Sequence, residues 1–257
     1  MGNLRLTSFH AIEGCLQNPG GALKPLTLYY PSSEGAPRRA LALVDLARQR
    51  GVAVRSVSPE ELARLGGASG PRGGGGSNQA GRLRLVLEAR RVEGGGGASR
   101  VYEDLKNAPR GLVLVLDGIT DPHNLGAILR SADKFEVDLV ITAARGSAGL
   151  SETVAKVSAG ASAWTPLLEA VNLVKTLQDL QSTGYWVYGA RMDGRAAWET
   201  DFADKAVLVL GSEGKGMRRL VEETCDHLVA VPGGGHVDSF NVSVAAALLL
   251  YEIRRPR

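Results

Sequence analysis

Along the second half of the chain, short runs rich in leucine and β-branched residues recur, separated by stretches with helical apolar spacing. The runs are LVLVL at 112 to 116, VDLVI at 137 to 141, YWVYGA at 185 to 190, AVLVL at 206 to 210 and LVAV at 228 to 231. Short strands alternating with amphipathic helices predict an α/β fold with a mainly parallel sheet covered on both faces. In such sheets ligands collect at the carboxyl ends of the strands, so the loops after strands are where chemistry is sought.

The first half has a different rhythm. TLYYP, a helical LALVDLARQRG and a strand-like VAVRSV alternate as β-α-β, and RLRLVLEARRV at 82 to 92 adds a further extended run. Two glycine-rich tracts, 66 to 77 and 94 to 99, carry too little apolar surface to order themselves and read as flexible loop or linker. The expected organisation is a small α/β domain over residues 1–91 with a flexible loop at 66–77. A linker with a short helix follows over 92–108, and a larger α/β domain over 109–257.

Composition narrows the class. With 257 residues, 44% of them hydrophobic, the chain can bury one large core or two ordinary ones. Its longest apolar run near the end, VSVAAALLLY at 242 to 251, is well short of the roughly 20 residues that span a bilayer. No hydrophobic signal stretch opens the sequence, so a cytoplasmic protein without a membrane segment is expected. Cys15 and Cys225 lie far apart, and neither has a partner at metal-ligand spacing, so neither a metal site nor a disulfide framework is expected. Charge is unevenly spread. Residues 1–108 hold 15 Lys/Arg against 9 Asp/Glu, a balance of +6, whereas 109–257 hold 15 against 18, a balance of −3. A basic first half suits a polyanionic partner; a solvated arginine-rich surface would look the same.

Three post-strand loops stand out. The first, ITDPHN, places Asn124 where a helix N-cap is expected, with Arg130 two turns further on and near the same face. The planar fork of an arginine suits phosphate or carboxylate. The second, GSEGKGM at 211 to 217, is a glycine-rich turn before an expected helix, MRRLVEETC. It fails the Walker and dinucleotide spacings, and Glu213 would repel a phosphate, so its glycines read as allowing close approach of a flat cationic or neutral ligand. The third, VPGGGHVDSFNVS at 231 to 243, sets Ser239, Asn241 and Ser243 on alternating positions before a helix that Asn241 or Ser243 would cap. His236 in the same loop reads as solvated. The chemical reading has these polar side chains converge with Glu213 and Arg130.

In order and spacing the three segments, DGITDPHNLGAILRSAD, LVLGSEGKGMRR and VPGGGHVDSFNVSVAAALLLYE, resemble the three motifs of the SpoU group of SPOUT RNA methyltransferases. The DPHN form is similar to the branch that methylates a guanosine ribose of 23S rRNA, and SFHAIEGCL at 8 to 16 resembles the opening of that branch's ribosomal-protein-like RNA-binding domain. The resemblance implies a C-terminal domain with a deep trefoil knot and a homodimer whose active sites draw on both subunits. It implies S-adenosylmethionine as methyl donor, contacted by Gly211, Val231 and Phe240, with the loop at 189 to 195 as a further wall. It also implies Asn124, Arg130, Glu213, Ser239 and Asn241 as the catalytic set, with no metal. Arg130 would fix the target phosphate and stabilise the developing alkoxide, Glu213 and Asn124 would hold Arg130 and the loops in register, and Ser239 and Asn241 would position the ribose. The sequence departs from the family at Gly233, where a methionine is usual, and in SNQAG at 77 to 81, which replaces a His-Gln-Gly segment. Rival readings are a tRNA ribose 2'-O-methyltransferase, which usually lacks such an N-terminal domain, and a noncatalytic RNA-binding assembly factor.

Overall fold

A computed structural model describes residues 3–18, 20–32, 37–67, 85–92 and 97–255. Most of the 66–77 tract and the 77–81 segment lie outside these residues.

The first sheet holds β1 (Leu4–Leu6), β2 (Leu23–Pro31), β3 (Ala53–Val57) and β4 (Val86–Arg91) in the order β1-β4-β2-β3. β2 and β3 run parallel across α2 (Arg38–Gln49), the β-α-β unit read from the sequence. β4 closes the sheet antiparallel to both β1 and β2. α1 (Phe9–Gln17) is capped by Ser8, whose side chain accepts the Ala11 amide, and buries Ala11, Ile12, Cys15 and Leu16. α3 (Pro59–Leu65) starts from a second serine cap, Ser58.

The second sheet begins after α4 (Ala98–Asn107). Its elements are β5 (Gly111–Asp117), α5 (Pro122–Lys134), β6 (Leu139–Ala143), α6 (Glu152–Val157), β7 (Leu167–Ala170), α7 (Leu173–Gln181), β8 (Trp186–Ala196), β9 (Lys205–Gly211), α8 (Arg219–Glu222), β10 (His227–Ala230) and α9 (Val242–Arg254). The strand order is β10-β8-β9-β5-β6-β7, and every pair is parallel. β5 is central and buried along its whole length, as its unbroken apolar sequence requires. From β5 the chain adds β6 and β7 on one side and then crosses to build β8, β9 and β10 on the other. The order therefore reverses between β5 and β9, and Asp117 stands in register with Gly211 at their carboxyl ends. The first two motif loops leave the sheet side by side at that switch point.

Several elements differ from the sequence reading, each for a local reason. Asn124 does not cap α5. Asp121 does, accepting the His123 amide at 2.8 Å with Pro122 in the first turn, since proline fixes the helical φ and gives up only an orphan donor. Asn241, by contrast, caps α9, its Oδ1 accepting from the Ser243 amide at 2.9 Å and the Ser243 hydroxyl at 2.6 Å. The expected helix from Met217 shrinks to Arg219–Glu222 because Met217 is buried and the Arg218 amide is bound to Asp117. β8 runs on through the segment 189 to 195, pairing Arg195 and Ala196 with β10 past a bulge. β7, sequence LLEA, has no β-branched signal and was not expected.

The two sheets are tied by a few specific contacts. Glu152 accepts the Arg5 amide at 2.9 Å, the Asn18 side chain donates to the Ala163 carbonyl at 2.8 Å, and Arg91 pairs with Glu169. Gly160, at φ +92°, lets the turn after α6 lie directly on α1: a Cβ there would stand 2.7 Å from the His10 backbone.

Candidate active site

A cleft of about 840 Å3 opens where the second half of β8 meets the segments after β9 and β10. That size suits a ligand of cofactor dimensions. Leu210, Met217, Val231 and Leu249 give it an apolar floor, and Ala190, Arg191 and Met192 form one wall. Gly211, Val231 and Phe240 all line it, the Phe240 ring being half-exposed. Arg191 is pinned against this wall by Asp193 at 2.5 Å and Glu222 at 2.7 Å, which hold its guanidinium charged.

Glu213 organises the mouth of the cleft. Its Oε1 accepts from the Asn124 side chain at 3.2 Å, the Asn241 side chain at 2.5 Å and the Val242 amide at 3.3 Å. Asn241 Nδ2 also donates to Asn124 Oδ1 at 3.0 Å. One carboxylate thus joins all three motif loops and fixes the orientation of both amides, because Asn241 has already committed its oxygen to the α9 N-terminus. Ser239 lines the same cleft and makes no side-chain hydrogen bond among the described residues. His236 is an exposed part of the rim.

Arg130 does not join this cluster. Six residues at about 100° each carry it roughly 120° around the helix from Asn124, so the two do not share a face. It faces a second cavity instead, between α5, α1 and the turn after α6. Within one chain the structure brings Asn124, Glu213 and Asn241 together and leaves Arg130 outside.

The glycines of the second loop have another explanation than ligand approach. A Cβ on Gly211 would lie 2.1 Å from the Gly216 carbonyl carbon and 2.2 Å from the Met217 nitrogen. Gly211 is glycine because the loop folds back on it, closed by paired Ser212 and Gly216 backbone hydrogen bonds at 3.0 and 2.9 Å. Gly211→Ala is expected to lower stability by about 1–3 kcal/mol, the usual cost of overpacking, and urea unfolding measures it. By contrast a Cβ on Gly233 meets nothing nearer than the Phe240 ring at 3.9 Å, so that departure from the family leaves open space.

Asp117 is a site residue that the motifs did not single out. It is buried, and it accepts from the Arg218 amide and the Arg218 Nε, both at 2.7 Å. It clamps the second loop to the end of β5. The legible signal was a carboxylate closing an otherwise apolar strand, since such a group needs a partner. The two cysteines take no part: burial pushes the Cys15 and Cys225 thiols up to about 12, with Asp226 and Glu222 adding to the effect at Cys225. Both stay protonated and unreactive. Among the described residues no group of His, Cys, Asp or Glu is placed to hold a metal ion, and no helix is long and apolar enough to cross a membrane.

A parallel sheet that reverses beside glycine-bearing loops, with a carboxylate and two amides at the mouth of an apolar cleft, defines an α/β enzyme domain of the cofactor-binding class. The chain belongs to the SpoU rRNA methylase family, whose model matches residues 111–251. It is 37% identical to a 23S rRNA (guanosine-2'-O-)-methyltransferase of Neisseria meningitidis over all of this chain and 97% of that one. A solved RNA 2'-O ribose methyltransferase superposes with a TM-score of 0.73 at 26% identity, covering 98% of this chain and 88% of the other. The AviRb methyltransferase of Streptomyces viridochromogenes, solved with AdoMet, shares the fold, with a TM-score of 0.78 at 20% identity, covering 99% and 90%.

Proposed function

We propose that this chain transfers a methyl group from S-adenosylmethionine to the ribose 2'-hydroxyl of a guanosine in 23S rRNA. The observation that carries this reading is the convergence of Asn124 from the first turn of α5, Glu213 from the loop after β9 and Asn241 from the cap of α9 at the mouth of the cleft. The full-length likeness to the Neisseria enzyme gives the substrate class.

The cleft fits the donor. Its backbone-walled glycine loops and the apolar pair Val231 and Phe240 suit an adenosine, with Gly211 at the base. When bound, S-adenosylmethionine supplies a sulfonium methyl open to in-line attack. Such a reaction demands alignment more than a strong base. Ser239 and Asn241 position the ribose, and Glu213 holds Asn124 and Asn241 in place. Arg130 holds the target phosphate with its planar guanidinium fork and stabilises the alkoxide as it develops.

Because Arg130 stands apart from its own cleft, we place it in the active site of a second copy. α9 supports a homodimer: Val244, Leu248 and Tyr251, at spacings of four and three, present a half-exposed apolar stripe. Leu248→Glu is expected to convert the dimer to monomers in analytical ultracentrifugation and to abolish transfer while leaving the far-UV spectrum unchanged. A C-terminal trefoil knot, RNA binding by residues 1–91 as a separate domain, and a cytoplasmic location complete the reading.

The test is transfer of radiolabelled methyl from S-adenosylmethionine to protein-free 23S rRNA, with bulk tRNA in parallel, followed by nuclease mapping. Label in 2'-O-methylguanosine of 23S rRNA supports the proposal. Label in tRNA alone, or in neither RNA, overturns it.

A further inference from the structure

The second cavity, about 540 Å3, has a composition that methyl transfer leaves unexplained. It lies between α1 of the first sheet and α5 and the 158–164 turn of the second, so it forms only where the two halves of the chain meet. On its wall stands Trp164, with 46% of its surface exposed. Trp186 and Trp198 are as exposed, but Trp164 lines a cavity beside Arg130 and Lys134, where its face is open to a planar group.

The indole is held in place from behind. Its Nε1 sits 2.9 Å from where a Gly14 Cβ would be, so only a glycine at that point of α1 lets the ring edge lie there. The turn that carries it is braced by the Gly160 contact with His10, and it holds Ala159 in the left-handed region at φ +51°. The indole edge therefore packs against α1 while the rest of the ring faces the cavity.

The charges around it favour an anion. Arg130 and Lys134, one turn apart on α5, both line the cavity and make no ion pair among the described residues. Of the two acids there, Glu13 is paired with Arg39 at 3.2 Å, which leaves Asp133 as the one unpaired carboxylate against two cations. A flat aromatic face beside two free cations is the recognition chemistry of an unstacked nucleotide: base on the ring, phosphates on the cations.

We propose that this cavity holds a nucleotide flanking the target, its base stacked on Trp164 and its phosphates on Arg130 and Lys134. This rests on the methyltransferase reading, for it makes Arg130 the link between two neighbouring phosphates: the subsite lies on the RNA path beside the reacting ribose.

The experiment compares Trp164→Leu, which keeps apolar bulk against Gly14, with Trp164→Phe, which keeps an aromatic face. Binding of protein-free 23S rRNA is measured by filter retention at fixed salt, and KM for RNA, S-adenosylmethionine affinity and oligomeric state are measured alongside. Trp164→Leu should weaken RNA binding and raise KM for RNA about tenfold, within the range for losing one stacked base, with donor affinity and oligomeric state unchanged. Trp164→Phe should recover most of the loss. Equal RNA binding by wild type and Trp164→Leu, or failure of Trp164→Phe to rescue, would overturn the subsite, as would a change in oligomeric state. A wild type that binds the RNA with this Trp164 dependence but transfers no methyl would overturn the methyltransferase reading and leave the subsite standing.

Discussion

Arg130→Ala is expected to cut single-turnover methyl transfer by about 100-fold or more while leaving S-adenosylmethionine affinity within about twofold of wild type. The size follows from the role: removing one preorganised charge from a developing oxyanion commonly costs that much. The selectivity follows from position, since Arg130 faces the α1–α5 cavity and does not line the donor cleft. Isothermal titration with the donor and rapid-quench transfer on rRNA separate the two quantities. A collapse of donor affinity with an intact rate for saturated enzyme would reverse the division of the site. Mixed dimers add a sharper check. If Arg130 serves the other subunit, combining Arg130→Ala with Glu213→Ala chains regenerates one complete site in a heterodimer.

Glu213→Ala should be as damaging, and in a different way. The carboxylate accepts three N–H donors from two other loops, so its loss strands Asn124, Asn241 and the Val242 amide together. Transfer is expected to fall about 100-fold or more, now with weaker donor binding too, because the loop after β10 carries Val231 and Phe240 into the cleft. Glu213→Gln retains an accepting oxygen and should keep more of both. An alanine variant with wild-type donor affinity would show that the third loop holds its shape without Glu213.

Much of this was legible in the sequence because it depends on local chemistry. The unbroken apolar run of β5 announced a strand buried on both faces, and the pair Asn241 and Ser243 announced the start of α9, with Asn241 proving to be the cap. What the sequence missed depends on partners far along the chain. Asn124 looked like a cap until the Asp121-Pro122 pair took that place and freed its amide for Glu213, 89 positions away. Arg130 stands six residues from Asn124, a third of a turn short of two full turns, which is why nearness in sequence does not place it on the same face. Gly211 looked like a concession to a ligand, yet the peptide it accommodates belongs to its own loop. β7 carries no β-branched residue and owes its extended form to pairing with β6.

The central place of β5 also sets the order of assembly. One of its edges pairs with β6, which follows closely, but the other waits for β9: Gly111 is matched with Lys205, a separation of 94 positions. Until that distant segment has been synthesised, a fully apolar strand presents an open hydrogen-bonding edge, the kind of surface on which nascent chains associate with one another. Pulse-labelled hydrogen exchange during refolding should therefore show the β5 amides gaining protection together with those of β9 and after those of α5. Yield from rapid expression should rise as temperature falls and slower synthesis lets the late strand reach its place.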